Sequence, residues 1–359
     1  MINEAYLRDG AAATDAVPAE GNSDTSRTSR RLLLGGSLAA LGLAAGGLPR
    51  LSVTSPAAAQ GAPAAAPAKG PQPFDYPGKD KGLTLLGDRP LVAETPENLL
   101  DDDTTPISKF FVRNNGQIPE PVKDVDGWQL KIEGEVDKPL TLTVKELKSR
   151  FTPHTFRMVL ECGGNGRSFY SPAARGNQWT NGGAGCAEWT GVRLADVLKA
   201  AGLKSSAKFT GHYGADPHLS GDTAKDAVSR GMPIEKALEP HCLIVWAMNG
   251  EPLPHIHGGP LRLVVPGWPA SLSSKWLNRI LVRATPHDGQ GMGGTSYRVP
   301  TVPIVPGSNA DGKANFADLT SMPVRSIISA PANGARLPAA TREVALRGAA
   351  WAGDHEVAK

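Results

Sequence analysis

The clearest chemical feature of the sequence is a cysteine placed where an apolar run meets a group of glycines. Cys162 lies within residues 160–167, LECGGNGR in one-letter code. Glycines let backbone or a large ligand approach closely, so this thiol is placed to face a ligand. Thiolates bind soft metals, and Arg167, five residues on, would lower the pKa of the thiol. Most lone cysteines are instead buried and inert, which is our prediction for Cys242, whereas Cys186 stays open.

Two further groups of residues could bind a ligand. His255 and His257 are two positions apart, so they would share a face if they lay on a strand. No second cysteine or carboxylate stands nearby at zinc-ligand spacing, which makes hydrogen bonding to an anionic cofactor the better prediction. Arg113 follows the aromatic pair Phe110 and Phe111 and precedes turn-forming residues. The alternative for this arginine is an ordinary place on a surface loop.

Composition and charge exclude several classes of protein. The 38 basic and 35 acidic residues give a net charge of +3 and are scattered, so nucleic-acid binding is not indicated. The 41 glycines and 31 prolines, 72 in 359 residues, favour a turn-rich architecture that contains β-strands. Three cysteines cannot form a disulfide scaffold. The glycines around residues 291–294 lack the lysine that a phosphate-binding loop requires.

Apolar patterning predicts a mixed α+β domain. Alternating patterns and apolar runs indicate strands. Thr143 and Glu146 have the spacing of a capping box, which predicts a short helix through Lys148. The spacing of apolar residues in 192–203 predicts an amphipathic helix that ends near Gly202. The strands are expected at residues 128–136, 140–143, 155–162, 243–248, 261–265 and 277–282. Two further strands, at 324–329 and 343–346, would open a new unit that is shorter than a complete sandwich of about 100 residues.

The N-terminus carries the pattern of a targeting signal. A Ser-Arg-Arg-Leu-Leu-Leu segment opens at Ser29 and leads into an uncharged apolar stretch of 17 residues ending at Leu48. This pattern resembles a twin-arginine export signal, and the stretch is shorter than the ~20 residues that span a bilayer. We therefore expect export of the folded protein to the periplasm without a permanent membrane anchor. Residues 1–59 would be the signal, and the Ala/Pro/Gly-rich residues 60–105 a linker and irregular lead-in.

Several separated motifs, in the right order, resemble those of the sulfite oxidase family of molybdenum enzymes from about Lys109 to Ser329. They are Phe-x-Arg-Asn at 111–114, Cys-x-Gly-Asn-x-Arg at 162–167, Trp-x-Gly-x-x-Leu at 189–194, and the segments at 248–254, 257–262, 265–267 and 275–277. This resemblance implies a molybdopterin-binding domain over residues 106–320. It also implies that residues 321–359 are part of an immunoglobulin-like dimerisation domain.

The resemblance further implies a molybdenum–molybdopterin cofactor and assigns roles to individual residues. Cys162 matches the single protein ligand to the metal, while Arg113, Arg167 and Tyr297 match positions that line the substrate pocket. Two arginines suit an oxyanion. The positions that match the family's cofactor-binding stretches are Phe111, Asn114, Asn115, His257, Arg262, Ser274 and Lys275. Asn115 stands where haem-containing relatives have histidine, and Gly166 replaces the first of two arginines.

The expected activity is that of a periplasmic sulfite dehydrogenase, which oxidises sulfite to sulfate by oxygen-atom transfer at a cysteine-ligated molybdenum. The sequence has no Cys-x-x-Cys-His haem motif, so a separate c-type cytochrome is the expected electron acceptor. A homodimer is expected if the C-terminal domain is complete. Three alternatives remain: a sulfane dehydrogenase subunit of a thiosulfate-oxidising complex, a methionine-sulfoxide reductase of the same superfamily, and a non-catalytic periplasmic anion-binding module.

Overall fold

The structure, a computed structural model, describes residues 72–292, 296–302 and 316–358. The export signal expected at residues 1–59 and the linker up to residue 71 lie outside this part of the chain. The described strands are β1 (Gln72–Pro73), β2 (Thr84–Asp88), β3 (Leu91–Glu94), β4 (Val112–Arg113), β5 (Gln129–Gly134), β6 (Leu140–Thr143), β7 (Pro153–Glu161), β8 (Ala184–Arg193), β9 (Phe209–Gly214), β10 (Ser229–Pro233), β11 (Leu243–Met248), β12 (Glu251–Pro252), β13 (Arg262–Val264), β14 (Leu277–Arg283), β15 (Arg298–Pro300), β16 (Phe316–Asp318), β17 (Arg325–Ala330) and β18 (Arg347–Trp351). The described α-helices are α1 (Val144–Arg150), α2 (Leu194–Ala201) and α3 (Ile234–Ala237).

These strands form three larger sheets and two hairpins. The order is β1-β2-β3-β4 in the first sheet, β10-β9-β14-β5-β6 in the second and β12-β11-β8-β7 in the third, where β13 also pairs with β11. Strands β5 and β14 run parallel, whereas the other described pairs are antiparallel. The pairs β15-β16 and β17-β18 stand apart as hairpins. The fold is therefore mixed α+β, as the patterning predicts.

The third sheet separates two hydrophobic cores, which explains why β11 reads as an unbroken apolar run. Ile244 faces the core formed with the second sheet, α1 and α2. Leu243 and Val245 face the opposite side, where they pack with Trp189 and Cys162. Successive side chains of a strand point to opposite faces, so a sheet covered on both sides has no position for exposed polar residues. This places Cys162 at the margin of a packed, apolar layer.

The two longer helices form as their local signals predict. The Thr143 hydroxyl accepts a hydrogen bond from the Glu146 amide at 3.1 Å, and the Glu146 carboxylate accepts one from the Thr143 amide at 2.8 Å. This reciprocal cap is worth about 1 kcal/mol and opens α1. Helix α2 buries its apolar stripe and ends at Gly202, whose φ of 71° suits glycine.

Most of the predicted strands are confirmed within a few residues, but the one at 343–346 is wrong. Strand β18 begins at Arg347, where the chain first comes opposite Ala330 of β17. The preceding Val344 and Leu346 are exposed and pair with no described strand. An alternating pattern forms a strand only where a partner is within hydrogen-bonding distance. No helix in the described part of the chain is long and apolar enough to cross a bilayer.

Candidate active site

Cys162 lies one residue beyond the end of β7, in a turn closed by backbone hydrogen bonds. Its amide donates to the Gly183 carbonyl at 2.8 Å, and its own carbonyl accepts from the Asn165 amide at 2.9 Å. Gly166 completes the turn with a φ of 80°, a left-handed conformation that glycine adopts without strain. The strand end and the turn together hold the thiol at the edge of the apolar core.

A cavity that is partly open to solvent lies beside Cys162; the empty space within it and at its mouth is about 680 Å³. Its walls come from the segment around β4, from the end of β7, from the connection after β9, and from the stretch between β13 and β14. The lining residues are Phe110, Phe111, Arg113, Asn114, Asn115, Cys162, Gly214, Asp216, Val228, Arg262, Ala270, Ser271, Ser273, Ser274, Lys275, Trp276 and Tyr297.

Three basic side chains line this cavity. Arg262 is buried and donates to the His257 carbonyl at 2.9 Å, and burial lowers the pKa of Arg262 to about 9. Lys275 donates from Nζ to Asn114 Oδ1 at 2.6 Å; burial, with the nearby Arg262 charge, moves the pKa of Lys275 well below its ordinary value. Among the described residues, no carboxylate forms an ion pair within 4 Å with Arg262, Lys275 or Arg113. Buried like charges of this kind are stabilised by an anionic ligand.

Several polar atoms at the cavity are buried without a described hydrogen-bond partner. They are Asn114 Nδ2, Ser271 Oγ and Trp276 Nε1. Buried donors are normally satisfied, so these three atoms suit a ligand that carries hydrogen-bond acceptors. Trp276 and Tyr297 also hold positive φ angles of 47° and 51°, a strained backbone that is typical of functional sites. Together with the basic groups, this donor set fits an anionic cofactor rich in acceptor atoms.

The surroundings of the Cys162 thiol have opposing effects on its pKa. Burial raises the pKa of Cys162 above its ordinary value, while the positive charges of Arg113 and Arg167 oppose that rise. Arg113 has the larger effect of the two arginines. Arg167 lowers the pKa of the thiol, as expected from the sequence, but loss of hydration outweighs the attraction to the cations and the net shift is upward.

Two predicted site residues do not line the cavity, and Arg167 is the first. Its Nη1 donates to the Asn177 carbonyl at 3.0 Å. A Cβ atom on Gly164 would lie 2.4 Å from the Arg167 guanidinium, and one on Gly176 would lie 2.6 Å from it. Because both glycines leave this space open, the guanidinium packs over them. Arg167 acts on Cys162 only through its charge in this arrangement.

His257 is the second, and it lies behind the cavity wall. It is on a 3-10 turn, His255–His257, so the condition under which the two histidines would share a face, a strand at these positions, is not met. His257 is buried, and its Nε2 lies 3.0 Å from Lys79 Nζ. Since a lysine ammonium can only donate, Nε2 is the acceptor. His255 instead contacts the Pro119 carbonyl through Nε2 at 2.7 Å.

The other predicted site residues do line the cavity, together with eight that were not predicted as site residues, of which four have a polar atom in the side chain. These four are Asp216, Ser271, Ser273 and Trp276. Asp216 is the only carboxylate among the lining residues, and burial raises its pKa to about 6 against the opposing charge of Lys275. No local pattern distinguishes this aspartate. Trp276 follows Lys275 directly, so the tryptophan could have been found from the lysine.

A possible serine–histidine catalytic pair elsewhere in the fold does not have the geometry of a nucleophile and base. Ser229 Oγ lies 3.0 Å from His287 Nε2. The Arg283 guanidinium lies 3.2 Å from His287 Nδ1 and can only donate, so Nδ1 is the acceptor and Nε2 carries the proton. His287 therefore donates to Ser229 and cannot accept its proton.

Comparison with known proteins finds a matching domain family and similar sequences. Residues 115–291 match the model of the oxidoreductase molybdopterin binding domain. The chain is 32% identical to the sulfite oxidase of Gallus gallus over 297 residues, 81% of this chain and 63% of the relative. It is 34% identical over 223 residues to the NADPH nitrate reductase of Aspergillus niger, covering 60% of this chain and 25% of the relative.

A solved structure is similar to this chain in fold. The sulfane dehydrogenase SoxCD from Paracoccus pantotrophus superposes with a TM-score of 0.61 at 28% identity, over 74% of this chain and 63% of that one. The family match identifies residues 115–291 as an oxidoreductase molybdopterin binding domain. The chain belongs to the sulfite oxidase family, and it spans less than two thirds of the length of the chicken relative.

Proposed function

We propose that this protein is a sulfite dehydrogenase that oxidises sulfite to sulfate. The observation that carries the proposal is that Cys162 and Arg113 open onto one cavity, close enough for the Arg113 charge to stabilise the thiolate. The donors described above fit the molybdenum–molybdopterin cofactor that the family implies. Overall, sulfite gains one oxygen, derived from water, and releases two electrons and two protons.

Different residues of the chain would bind different parts of the cofactor. Cys162 would bind the metal, because its sulfur is a soft ligand at the cavity wall. Lys275 and Arg262, already fixed by hydrogen bonds, would hold the anionic part of the cofactor with little loss of conformational freedom. When bound, the cofactor supplies oxygen-atom transfer and two-electron redox chemistry. Phe110 and Phe111 would exclude water from this layer.

Arg113 would bind the substrate. It is the one lining guanidinium that is only partly buried, so it can reach an oxyanion that enters from solvent. A planar guanidinium matches two oxygens of such an ion and orients it. Tyr297 lies on the same cavity and would add a hydroxyl contact. Arg167 would contribute long-range positive charge rather than direct contact.

Export to the periplasm, a c-type cytochrome as acceptor and a homodimer belong to the same proposal. The twin-arginine pattern at Arg30 and Arg31 supports export, because this route carries proteins that are already folded around a cofactor. The exposed apolar side chains of Val324 and Ile328 on the C-terminal hairpin support a partner surface there.

The test is sulfite-dependent reduction of cytochrome c by the purified full chain, with molybdenum content measured on the same sample. Cys162→Ala should lose metal and turnover together. Arg113→Gln should keep metal and lose sulfite affinity, while Arg150→Gln, at the exposed end of α1, is the matched control. Metal without sulfite turnover would reject the proposal, and absence of metal in a folded protein would favour an anion-binding module.

A second candidate is sulfane dehydrogenase, because the solved SoxCD structure shares this fold. Its substrate class, sulfur bound to a carrier protein, needs a wider approach to the metal than free sulfite does. The two candidates are separated by offering the same loaded protein free sulfite and a persulfide on a carrier peptide. Turnover of the peptide alone would favour the second candidate. Nitrate, offered together with a chemical electron donor, is a third compound to test, because the chain is also similar to an NADPH nitrate reductase.

A further inference from the structure

The C-terminal hairpin contacts the residue next to the expected metal ligand. Arg325 begins β17 and Trp351 ends β18, and the two residues are direct cross-strand partners. Both point their donors at one carboxylate. Arg325 Nε donates to Glu161 Oε1 at 2.6 Å, and Trp351 Nε1 donates to Glu161 Oε2 at 2.7 Å. Glu161 is the last residue of β7, immediately before Cys162.

This carboxylate is buried, and both of its oxygens accept hydrogen bonds. Glu161 is 3% exposed, and its Oε1 also accepts a hydrogen bond from Asn165 Nδ2 at 3.0 Å. A buried carboxylate is costly unless it is paired and hydrogen-bonded, and here one cation and two neutral donors satisfy it. The hairpin supplies two of the three donors. Removal of either would leave part of a buried charge without a partner.

The same network continues into the turn that carries Cys162. Arg325 Nη2 donates to the Asn165 carbonyl at 3.1 Å. The Asn165 side chain accepts from the Gly183 amide at 3.0 Å, and the Gly183 carbonyl accepts from the Cys162 amide at 2.8 Å. Each link is a direct hydrogen bond. The hairpin and the thiol-bearing turn therefore form one connected unit.

We propose that Glu161, Arg325 and Trp351 are positioning residues that set the geometry of Cys162 at the metal, so that the C-terminal hairpin controls the metal centre. This inference rests on the proposed function only in that the metal is molybdenum bound by Cys162. It assigns to the hairpin a role in the chemistry of the domain that contains Cys162. None of the three residues lines the cavity, so each acts through the turn.

The opposite end of the hairpin provides an internal control. There the Asp101 carboxylate accepts from Ser329 Oγ at 2.6 Å and from Arg347 Nε at 3.1 Å. Asp101 thus anchors the same hairpin to the domain without touching the Cys162 turn. Asp101→Asn loosens the docking of the hairpin, whereas Trp351→Phe and Glu161→Gln release the turn itself. A general effect of docking and a specific effect on Cys162 are therefore separable.

The experiment compares the full-length wild type with Trp351→Phe, Glu161→Gln and Asp101→Asn by amide hydrogen exchange. Trp351→Phe removes the indole N–H and retains a smaller aromatic ring, so the protein should remain folded. A lost hydrogen bond to a charged group corresponds to about tenfold or more faster exchange. We expect that increase at the amides of Cys162, Asn165 and Gly166 in the first two variants, with no change there in Asp101→Asn.

The second readout is the electron paramagnetic resonance spectrum of the one-electron-reduced metal, which reports the geometry of its sulfur ligand. We expect Trp351→Phe and Glu161→Gln to shift this spectrum and Asp101→Asn to leave it as in the wild type. Unchanged exchange in the Cys162 turn would overturn the inference, and so would an equal response in Asp101→Asn. A wild type that holds metal but does not oxidise sulfite would reject the proposed function alone, and in a metal-free sample the exchange comparison still decides.

Discussion

Lys79 offers a quantitative test of the electrostatics behind the cavity wall. Its ammonium donates to the carbonyls of Ile107 at 2.5 Å and Phe110 at 2.6 Å and to His257 Nε2 at 3.0 Å. These acceptors are neutral, so they do not replace the hydration that the charge loses. Burial accordingly lowers the pKa of Lys79 from 10.5 to about 7. The neutral amine is thus the favoured form in the folded protein at alkaline pH.

This depressed pKa makes stability depend on pH. Below pH 7 both the folded and the unfolded chain carry the proton, so the burial penalty is fully present. Between about 7 and 10.5 the unfolded chain holds a proton that the folded chain has released, so stability rises with pH. In this window the free energy of unfolding rises by about 1.4 kcal/mol per pH unit for each proton released. The Lys79 side chain is partly exposed, so solvent screening reduces the total rise to about 2 kcal/mol.

The test is urea unfolding of the cofactor-free wild type and Lys79→Met at pH 7, 8.5 and 10. Across this range, the free energy of unfolding of the wild type should rise by about 2 kcal/mol relative to that of the Met variant. Lys79→Arg keeps its charge throughout, so its difference from the Met variant should not change with pH. If the difference between wild type and Lys79→Met is the same at all three pH values, the reasoning is refuted.

Four further expectations follow from single contacts. Cys162→Ser should stay folded by circular dichroism while molybdenum, measured by mass spectrometry, falls below about one tenth of the wild-type content. Arg113→Gln should raise KM for sulfite about 10- to 100-fold in steady-state assays, as loss of a charge-assisted hydrogen bond predicts. Burial lowers the pKa of His212 to about 3 and of His287 to about 4, so thermal melts should show stability falling as pH drops from 6.5 to 4, less steeply in His287→Gln. Gly258→Ala, at a φ of 101° with its Cβ 2.6 Å from that of Lys275, should lower both Tm and cofactor content.

Elements with purely local signals were predictable from the sequence. The capping box at Thr143, the apolar stripe of α2 and the glycine at its end each act within a few residues, so their outcome does not depend on the rest of the fold. The position of Cys162 after a strand was predictable for the same reason. Strand β18 was not, because its start depends on the point where Arg347 meets Ala330 across the hairpin.

The site was only partly predictable, because it joins residues from distant segments. The Arg167 side chain does not line the cavity, because it occupies a space that is left open by Gly176, nine residues later. Asp216 reaches the cavity through the connection after β9, and nothing around it in the sequence marks it as a site residue. Lys79 contacts His257 across 178 positions. Motif resemblance located most of the lining, but the orientation of each side chain depends on neighbours that a motif does not include.

The arrangement of the basic residues favours a functional site over a by-product of folding. Arg113, Arg262 and Lys275 come from three separate segments and converge on one cavity, where burial disfavours the charges of the last two. Folding alone would favour apolar residues at such positions, since unpaired buried charge lowers stability. An anionic ligand reverses this balance, because it pairs with the charges and satisfies the free donors nearby. The folded protein should therefore be more stable with the cofactor bound than without it.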